Sequence, residues 1–420
     1  MRVAFDARMA TWGGVGTYTR ELLAALVRDR DSLDIEQVLA FRAPEDGFLE
    51  DSIRGPGIAW QVAAGSPWSP AANARMGLAA RGRADVFHSP HYPVPIGFDG
   101  PLVTTIHDLI PLLVPESMPD TFQRTAFAGM VKWAVARSAV IVCGTRAAAA
   151  TVADRFAVAR LCVIHHGMGL SMGAGMGSTS FDAPHAESAG SRAGQPSIPW
   201  AHPQAVHAQD PGGGRRPAPG YVLWVGAFKP HKDVPTLLAA HRLLPPEVRE
   251  RHPLVLVGDD QTAEGRRLRA ELPSSGGELG RCVHMLGRVA PHDLASLYGD
   301  AAVFAFPSRI EGFGLPPLEA MARGVPVVSS RAAPMPEVLG DAAAYFSPGD
   351  AEDLARRLLE VLTAKNVAMR LRARGRNRVQ RFSWARAARE TAAVYGTALE
   401  TGRRPRVGRR PAGPERASVR

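Results

Sequence analysis

The chain has 420 residues, 45% of them apolar and 21% charged, which suits a folded protein of two or three domains and excludes fibrous or low-complexity classes. Its net charge is +10, but the stretch from Gly402 to Arg420 alone supplies +6 through seven Arg and one Glu, so no nucleic-acid-binding surface is expected on the folded part. No apolar run nears the ~18–20 residues of a membrane span.

The start, Met1-Arg2-Val3-Ala4-Phe5-Asp6, reads as a strand and not as a secretion signal. A cytoplasmic protein, free or peripheral on the inner face of the membrane, is expected. Cys143, Cys162 and Cys282 match no metal or disulfide spacing and read as small core residues. Lysine is rare: four residues against 46 Arg, and two of the four, Lys229 and Lys232, share one short loop.

Residues 1–30 read as strand, glycine loop, helix. Val3, Phe5 and Ala7 read as alternating with polar neighbours; Gly13, Gly14 and Gly16 follow; Leu22, Leu23 and Leu26 mark one helical face. Strands are predicted at 35–41, 58–62, 85–88, 102–106 and 140–143. His107 and Asp108 fall just past one of these, where open α/β sheets bind ligands and where an imidazole can meet a proton or a sugar hydroxyl. His88 and His91 lie at another strand end and read as structural or acceptor-contacting. Residues 111–127, with three prolines, read as an ordered loop over a cleft mouth. Residues 144–166 read as helix then strand, with Val163-Ile164-His165-His166-Gly167 at the end.

From Met168 to Pro219 the pattern dissolves into Gly, Ser, Ala, Pro and His, and is read as a linker with a disordered insertion. The rhythm then restarts. Strands are predicted at 221–225, 254–257, 283–286, 302–306 and 325–329, and Asp233 is expected to cap a helix. Ser383 starts a last helix with a core-facing stripe of Trp384, Ala387, Ala388, Val394, Tyr395 and Ala398. The domains read as 1–167, 168–219 as linker, 220–382, a terminal helix at 383–401 and a basic disordered tail at 402–420.

The central motif is S-R-I-E-G-F-G-L-P-P-L-E, Ser308 to Glu319. It reads as a glycine loop between strand and helix, with Glu311 on the loop, Pro316 in the first helical turn and Glu319 in the helix. The helix N-terminus is a ready anion site, and the two carboxylates suit a polyhydroxylated ligand. Two α/β halves with such loops at strand ends imply facing domains around a cleft.

The segments F-D-A-R…G-G-V-G-T-Y-T-R-E-L, T-I-H-D-L-I-P, V-G-A-F-K-P-H-K and E-G-F-G-L-P-P-L-E-A-M-A-R-G-V-P-V-V-S-S together resemble glycosyltransferase family 4. The resemblance implies an α/β GT-B architecture of two Rossmann-like domains, and a retaining hexosyltransferase using a nucleotide diphosphate sugar. It implies that Glu319 binds the ribose, that Glu311 binds the donor sugar, and that the backbone of Phe313, Gly314 and Leu315 holds sugar and phosphate. Lys232 then neutralises the diphosphate, Gly13 and Gly14 let it approach, His107 contacts the sugar near the reacting carbon, and the Arg288-Val289 loop receives the base. The family's arginine ahead of that lysine is here Ala227, so Lys229 or His231 is expected to supply the second charge. No cofactor and no essential divalent ion are expected, because lysine and helix N–H groups stabilise the leaving group. The motif wording points first to GDP-mannose as donor and to a glycan or lipid-linked acceptor in polysaccharide or glycolipid assembly, with an anionic membrane surface as a further partner.

Overall fold

The computed structural model describes residues 1–169, 218–274 and 282–402. Most of the expected linker and nearly all of the basic tail lie outside the described residues. Two parallel sheets organise the rest. The first contains β1 (Arg2–Asp6), β2 (Gln37–Arg42), β3 (Ile58–Val62), β4 (Val86–Ser89), β5 (Leu102–Ile106), β6 (Val140–Cys143) and β7 (Leu161–Val163), in the order β3-β2-β1-β4-β5-β6-β7. The second contains β8 (Tyr221–Val225), β9 (Leu254–Val257), β10 (Val283–Gly287), β11 (Ala301–Phe306), β12 (Val327–Ser330) and β13 (Ala343–Phe346), in the order β10-β9-β8-β11-β12-β13. Five helices bear on the site: α1 (Gly13–Arg28), α2 (Arg146–Arg155), α3 (Leu315–Ala322), α4 (Met335–Leu339) and α5 (Trp384–Gly402).

Helices cover both faces of each sheet, so the strands are buried on both sides. This corrects the alternation read into the first strand. β1 is central, its Val3, Ala4 and Phe5 are fully buried, and even Asp6 is enclosed. Asp6 stays there because Arg8, itself buried, grips both its oxygens and also bonds Asn73. The expected loop over 111–127 is instead two short helical turns, at Ile110–Leu113 and Pro115–Ser117, before a long helix opens at Thr121. Cys143 and Cys282 are buried, and Cys162 is half-buried.

In each sheet the strand order reverses once: between β1 and β4 in the first, between β8 and β11 in the second. Open α/β sheets bind ligands outside the carboxyl ends of the strands at that reversal. The loops leaving those four strands carry Gly13-Gly14, His91, Lys229-Lys232 and Glu311-Gly314.

The last helix does not pack where chain order suggests. The stripe of α5 is buried among Val3, Phe5, Leu22, Leu23 and Leu26 of the first lobe. The Tyr395 hydroxyl also meets His88 Nδ1 at 2.7 Å. The chain thus crosses back from the second lobe to complete the core of the first.

Candidate active site

The loop after β8 tightens into a turn at Pro230–Lys232 and places the Lys232 ammonium against Glu311. Nζ donates to both carboxylate oxygens, at 2.6 and 2.8 Å, over the ring of Phe306 at 5.8 Å. The side chains are 18% and 8% exposed, so the pair is mostly desolvated but still reachable. Asp233 does not cap the following helix as expected. Its backbone is left-handed, at φ 51°, and its carboxylate accepts from Arg309 Nε at 2.9 Å. The Arg309 N–H also donates to the His231 carbonyl at 2.8 Å. These bonds staple the lysine loop to the glutamate loop, and so fix Lys232 relative to Glu311.

His231 cannot supply the second charge. Burial, with Lys232 and Lys229 nearby, pulls its pKa to about 3, so the ring is neutral. That leaves Lys229. It is exposed, and the protein packed around it together with Lys232 lowers its pKa. Asp108 faces the same cluster from the first lobe. Burial, reinforced by the Glu311 charge, raises its pKa. Sequence reading noticed Asp108 beside His107 but gave it no place in the site.

The Glu311–Leu315 loop supplies donors more sparingly than a generic helix end. Pro316 and Pro317 have no N–H. The N–H groups of Phe313, Gly314 and Leu315 make no hydrogen bond among the described residues and form the available anion cradle. Gly314 precedes α3 at φ 89°, a left-handed backbone that favours glycine. Along α3, Glu319 is half-buried. Tyr298 donates to its Oε2 at 2.8 Å, leaving Oε1 unbonded, and burial raises its pKa. The Arg288 guanidinium is tied to Asp259 at 2.9 Å, which steadies the loop that also carries Val289.

In the first lobe, α1 begins at Gly13 (φ 49°) without a side-chain cap or an acidic residue in its first turn. Gly13 and Gly14 are exposed, and a Cβ on either would meet nothing within 4 Å. Packing therefore does not require glycine at position 14. Gly16 differs: its Cβ would lie 2.4 Å from the Ala10 carbonyl. One turn further on, Tyr18 packs edge-on against His107, centroids 4.7 Å apart. His107 Nε2 donates to the Pro90 carbonyl at 2.8 Å, and burial holds its pKa near 4, so it is a neutral ring with Nδ1 unprotonated. His88 is structural, bonded to Tyr395 and Thr105.

The lobes meet at the glutamate loop. A Cβ on Gly312 would lie 2.9 Å from the His107 carbonyl and 3.1 Å from Asp108 Oδ2. The glutamate loop is thereby brought beside His107 and Asp108, and His107 packs against Tyr18 of α1. Every predicted site residue lies on a carboxyl-end loop or the helix after it. Arg309, Tyr298 and Glu337 were missed, since an isolated charge or tyrosine carries no pattern of its own.

Residues 12–171 match the model described as Glycosyltransferase Family 4, and residues 208–378 match Glycosyl transferases group 1. Together the matches take in most of the chain. The chain belongs to glycosyltransferase family 4. The Escherichia coli O-antigen chain mannosyltransferase B is 38% identical over 176 residues, 42% of this chain and 45% of that protein. The Mycolicibacterium hassiacum MMP alpha-(1->4)-mannosyltransferase is 40% identical over 121 residues, 28% of this chain and 29% of its own. The chain thus spans less than half the length of these relatives. Among solved structures, Anabaena HepE in complex with UDP superposes with a TM-score of 0.66 at 18% identity, over 94% of this chain and 100% of that one. Sucrose-phosphate synthase from Thermosynechococcus elongatus gives 0.69 at 20% identity, over 95% and 99%. The family 4 fold is therefore the GT-B pair of Rossmann-like lobes, read correctly from the motifs. Among the described residues, no helix is long and apolar enough to cross a membrane, and no group of His, Cys, Asp or Glu is arranged to hold a metal ion.

Proposed function

We propose that this chain transfers a hexosyl unit, mannosyl first, from a nucleotide diphosphate sugar to an acceptor hydroxyl with retention at the anomeric carbon. The observation that carries the reading is the pairing of Lys232 with Glu311 beside the unbonded amides of Phe313–Leu315. Breaking the bond from the anomeric carbon to the diphosphate builds negative charge on the leaving oxygen. Lys232, Lys229 and those amides stand ready for that charge, and one such fixed donor is worth about 3–4 kcal/mol. Glu311 orients Lys232 and takes sugar hydroxyls, while Glu319 offers its unbonded oxygen to the ribose.

Glu311 and Glu319 are not a glycosidase acid and base pair, since the leaving group is already a stable anion. In front-face retention the departing phosphate accepts the acceptor's proton, so no protein base is assigned. His107, neutral and held by Pro90, presents an acceptor nitrogen to the sugar near the reacting carbon. The site is read as working without an essential divalent ion. The mannosyl donor is favoured by the sequence relatives' names. HepE, solved in complex with UDP and with UDP-glucose, favours a nucleotide-sugar donor in general. The acceptor is read as a glycan or a lipid-linked one, taken by a protein that works in the cytoplasm or at the inner membrane face.

The test is a donor panel with glycan acceptors. GDP-mannose should give nucleotide diphosphate release and a retained anomeric configuration by NMR. No release with any activated hexose would sink the reading. It would favour a non-catalytic sugar-nucleotide binder, which Ala227 and the neutral His231 allow by leaving diphosphate neutralisation to two lysines.

A further inference from the structure

One helix end of the first lobe is satisfied by the second. α2 opens behind its own cap, Thr145, whose Oγ1 accepts the Ala148 N–H at 3.1 Å. The N–H groups of Arg146 and Ala147 have no partner within the helix. Both go to Glu337 on α4, across the lobe boundary. Arg146 N–H lies 2.8 and 3.0 Å from its two oxygens, and Ala147 N–H lies 3.3 Å from Oε2. His165 Nε2 adds a donor from the first lobe at 2.9 Å, and the Glu337 side chain is only 15% exposed.

The same helix end also reaches the glutamate loop. The Thr145 hydroxyl donates to the Gly312 carbonyl at 3.1 Å. The next residue, Phe313, stacks on His166 of the first lobe with centroids 4.3 Å apart. On the far side, Arg378 binds the carbonyls of Glu337 and Val338 and so anchors α4 within its own lobe. A single helix terminus thus holds α4 by its amides and the residue after Glu311 by its cap.

We propose that Glu337 is a positioning residue. Its carboxylate docks the second lobe on the start of α2, and that contact sets the Glu311–Leu315 loop in register with His107. A carboxylate at a helix N-terminus meets both free N–H groups and the positive end of the dipole, and the bonds are charge-assisted. Without it, the two amides at the start of α2 lose their charged acceptor and the lobes separate at this point. The Gly312 carbonyl then drifts from Thr145, and the amide cradle drifts from the first lobe. Glu337 touches neither reacting group, so it acts through the loop. The rate part of this proposal rests on the sugar-transfer reading, and the shape part does not.

The experiment uses the full chain with Glu337→Ala and Glu337→Gln. Glutamine keeps the size and one acceptor oxygen but loses the charge. Both variants should keep wild-type circular dichroism. GDP and UDP, titrated calorimetrically, should bind within about twofold of wild type, because the residues read as holding them lie mainly in the second lobe. Turnover of the nucleotide sugar should fall about tenfold or more for Glu337→Ala and by an intermediate factor for Glu337→Gln, with donor KM nearly unchanged. The radius of gyration by small-angle scattering should exceed that of wild type. A merely structural role would lower the melting temperature and leave the folded molecules with wild-type kcat and radius. Wild-type kcat or wild-type radius in a folded Glu337→Ala protein overturns the proposal, and so does nucleotide affinity falling in step with rate. If Glu337→Ala does not fold, Glu337→Gln decides on the same readouts. If wild-type protein binds no nucleotide, the sugar-transfer reading fails, while the scattering comparison still decides the docking.

Discussion

The two lobes offer the same device and fill it with opposite chemistry. Each has a strand-order reversal with loops leaving the carboxyl ends. In the first lobe Gly13 and Gly14 follow β1 with an uncapped helix start, and the neutral ring of His107 follows β5, the strand next to the reversal. In the second those loops carry Lys229, Lys232 and Glu311, tied together by Arg309 and Asp233. The shared architecture explains where a ligand sits. The difference shows which lobe concentrates charge; in the function proposed above, the second lobe would drive departure of an anion, and the first would let the ligand approach and contact its neutral part.

The sharpest way to break that contrast is Lys232→Ala. Transfer should fall about 10²–10³-fold in kcat, the usual cost of removing one fixed donor from a developing oxyanion. It also strands Glu311, which is 8% exposed, so the melting temperature should drop too. A kcat within tenfold of wild type would move the charge-bearing role elsewhere. Gly16→Ala should come next, but in stability alone. The added methyl meets the Ala10 backbone, so urea unfolding should show about 1–3 kcal/mol lost.

Glu319→Gln should weaken nucleotide binding about tenfold by calorimetry, as a charged acceptor becomes a neutral one. Because burial raises its pKa, wild-type affinity should begin to fall on acidification at a pH above the ordinary carboxylate range. A stability slope is shared by both lobes. Burial holds His88 and His231 near pKa 3, and His107 and His241 near 4, against about 6.5 unfolded. Between those values the unfolded chain binds more protons, so stability is full above about pH 6.5 and is lost as pH falls toward 4 and 3. Melting temperatures at pH 7.5 and 5 measure it. The smallest expected effect is Gly14→Ala. Its methyl enters open space, so melting should be unchanged while donor KM rises several-fold. A melting shift would show that this glycine serves the fold rather than the ligand.

What the sequence revealed follows from what it encodes locally. β3, β5, β6, β8 and β9 were readable end to end, because a short apolar run between turn residues has one outcome in a parallel sheet. β13 was missed: Ala-Ala-Tyr-Phe at an edge lacks the β-branched signature. The Lys232 and Glu311 loops were legible because glycines and rare lysines punctuate them. Asp233 misled, since an Asp before a helix usually caps it, and nothing local announces that Arg309, 76 positions on, takes the carboxylate instead. Glu337 was invisible for the same reason. Its partners belong to another lobe, and no spacing rule reaches that far. The α5 stripe was read correctly as core-facing, but periodicity names a face and not the neighbour it meets.

That crossing of α5 has a practical consequence for anyone cutting or recombining the molecule. The boundary suggested by order along the chain, near residue 219, does not separate two self-sufficient halves. A fragment ending there would leave Phe5, Leu22 and His88 facing water where Trp384, Ala388 and Tyr395 now lie. Chimeras that exchange donor specificity should swap 220–382 as an internal cassette and keep the terminal helix from the same parent as residues 1–169.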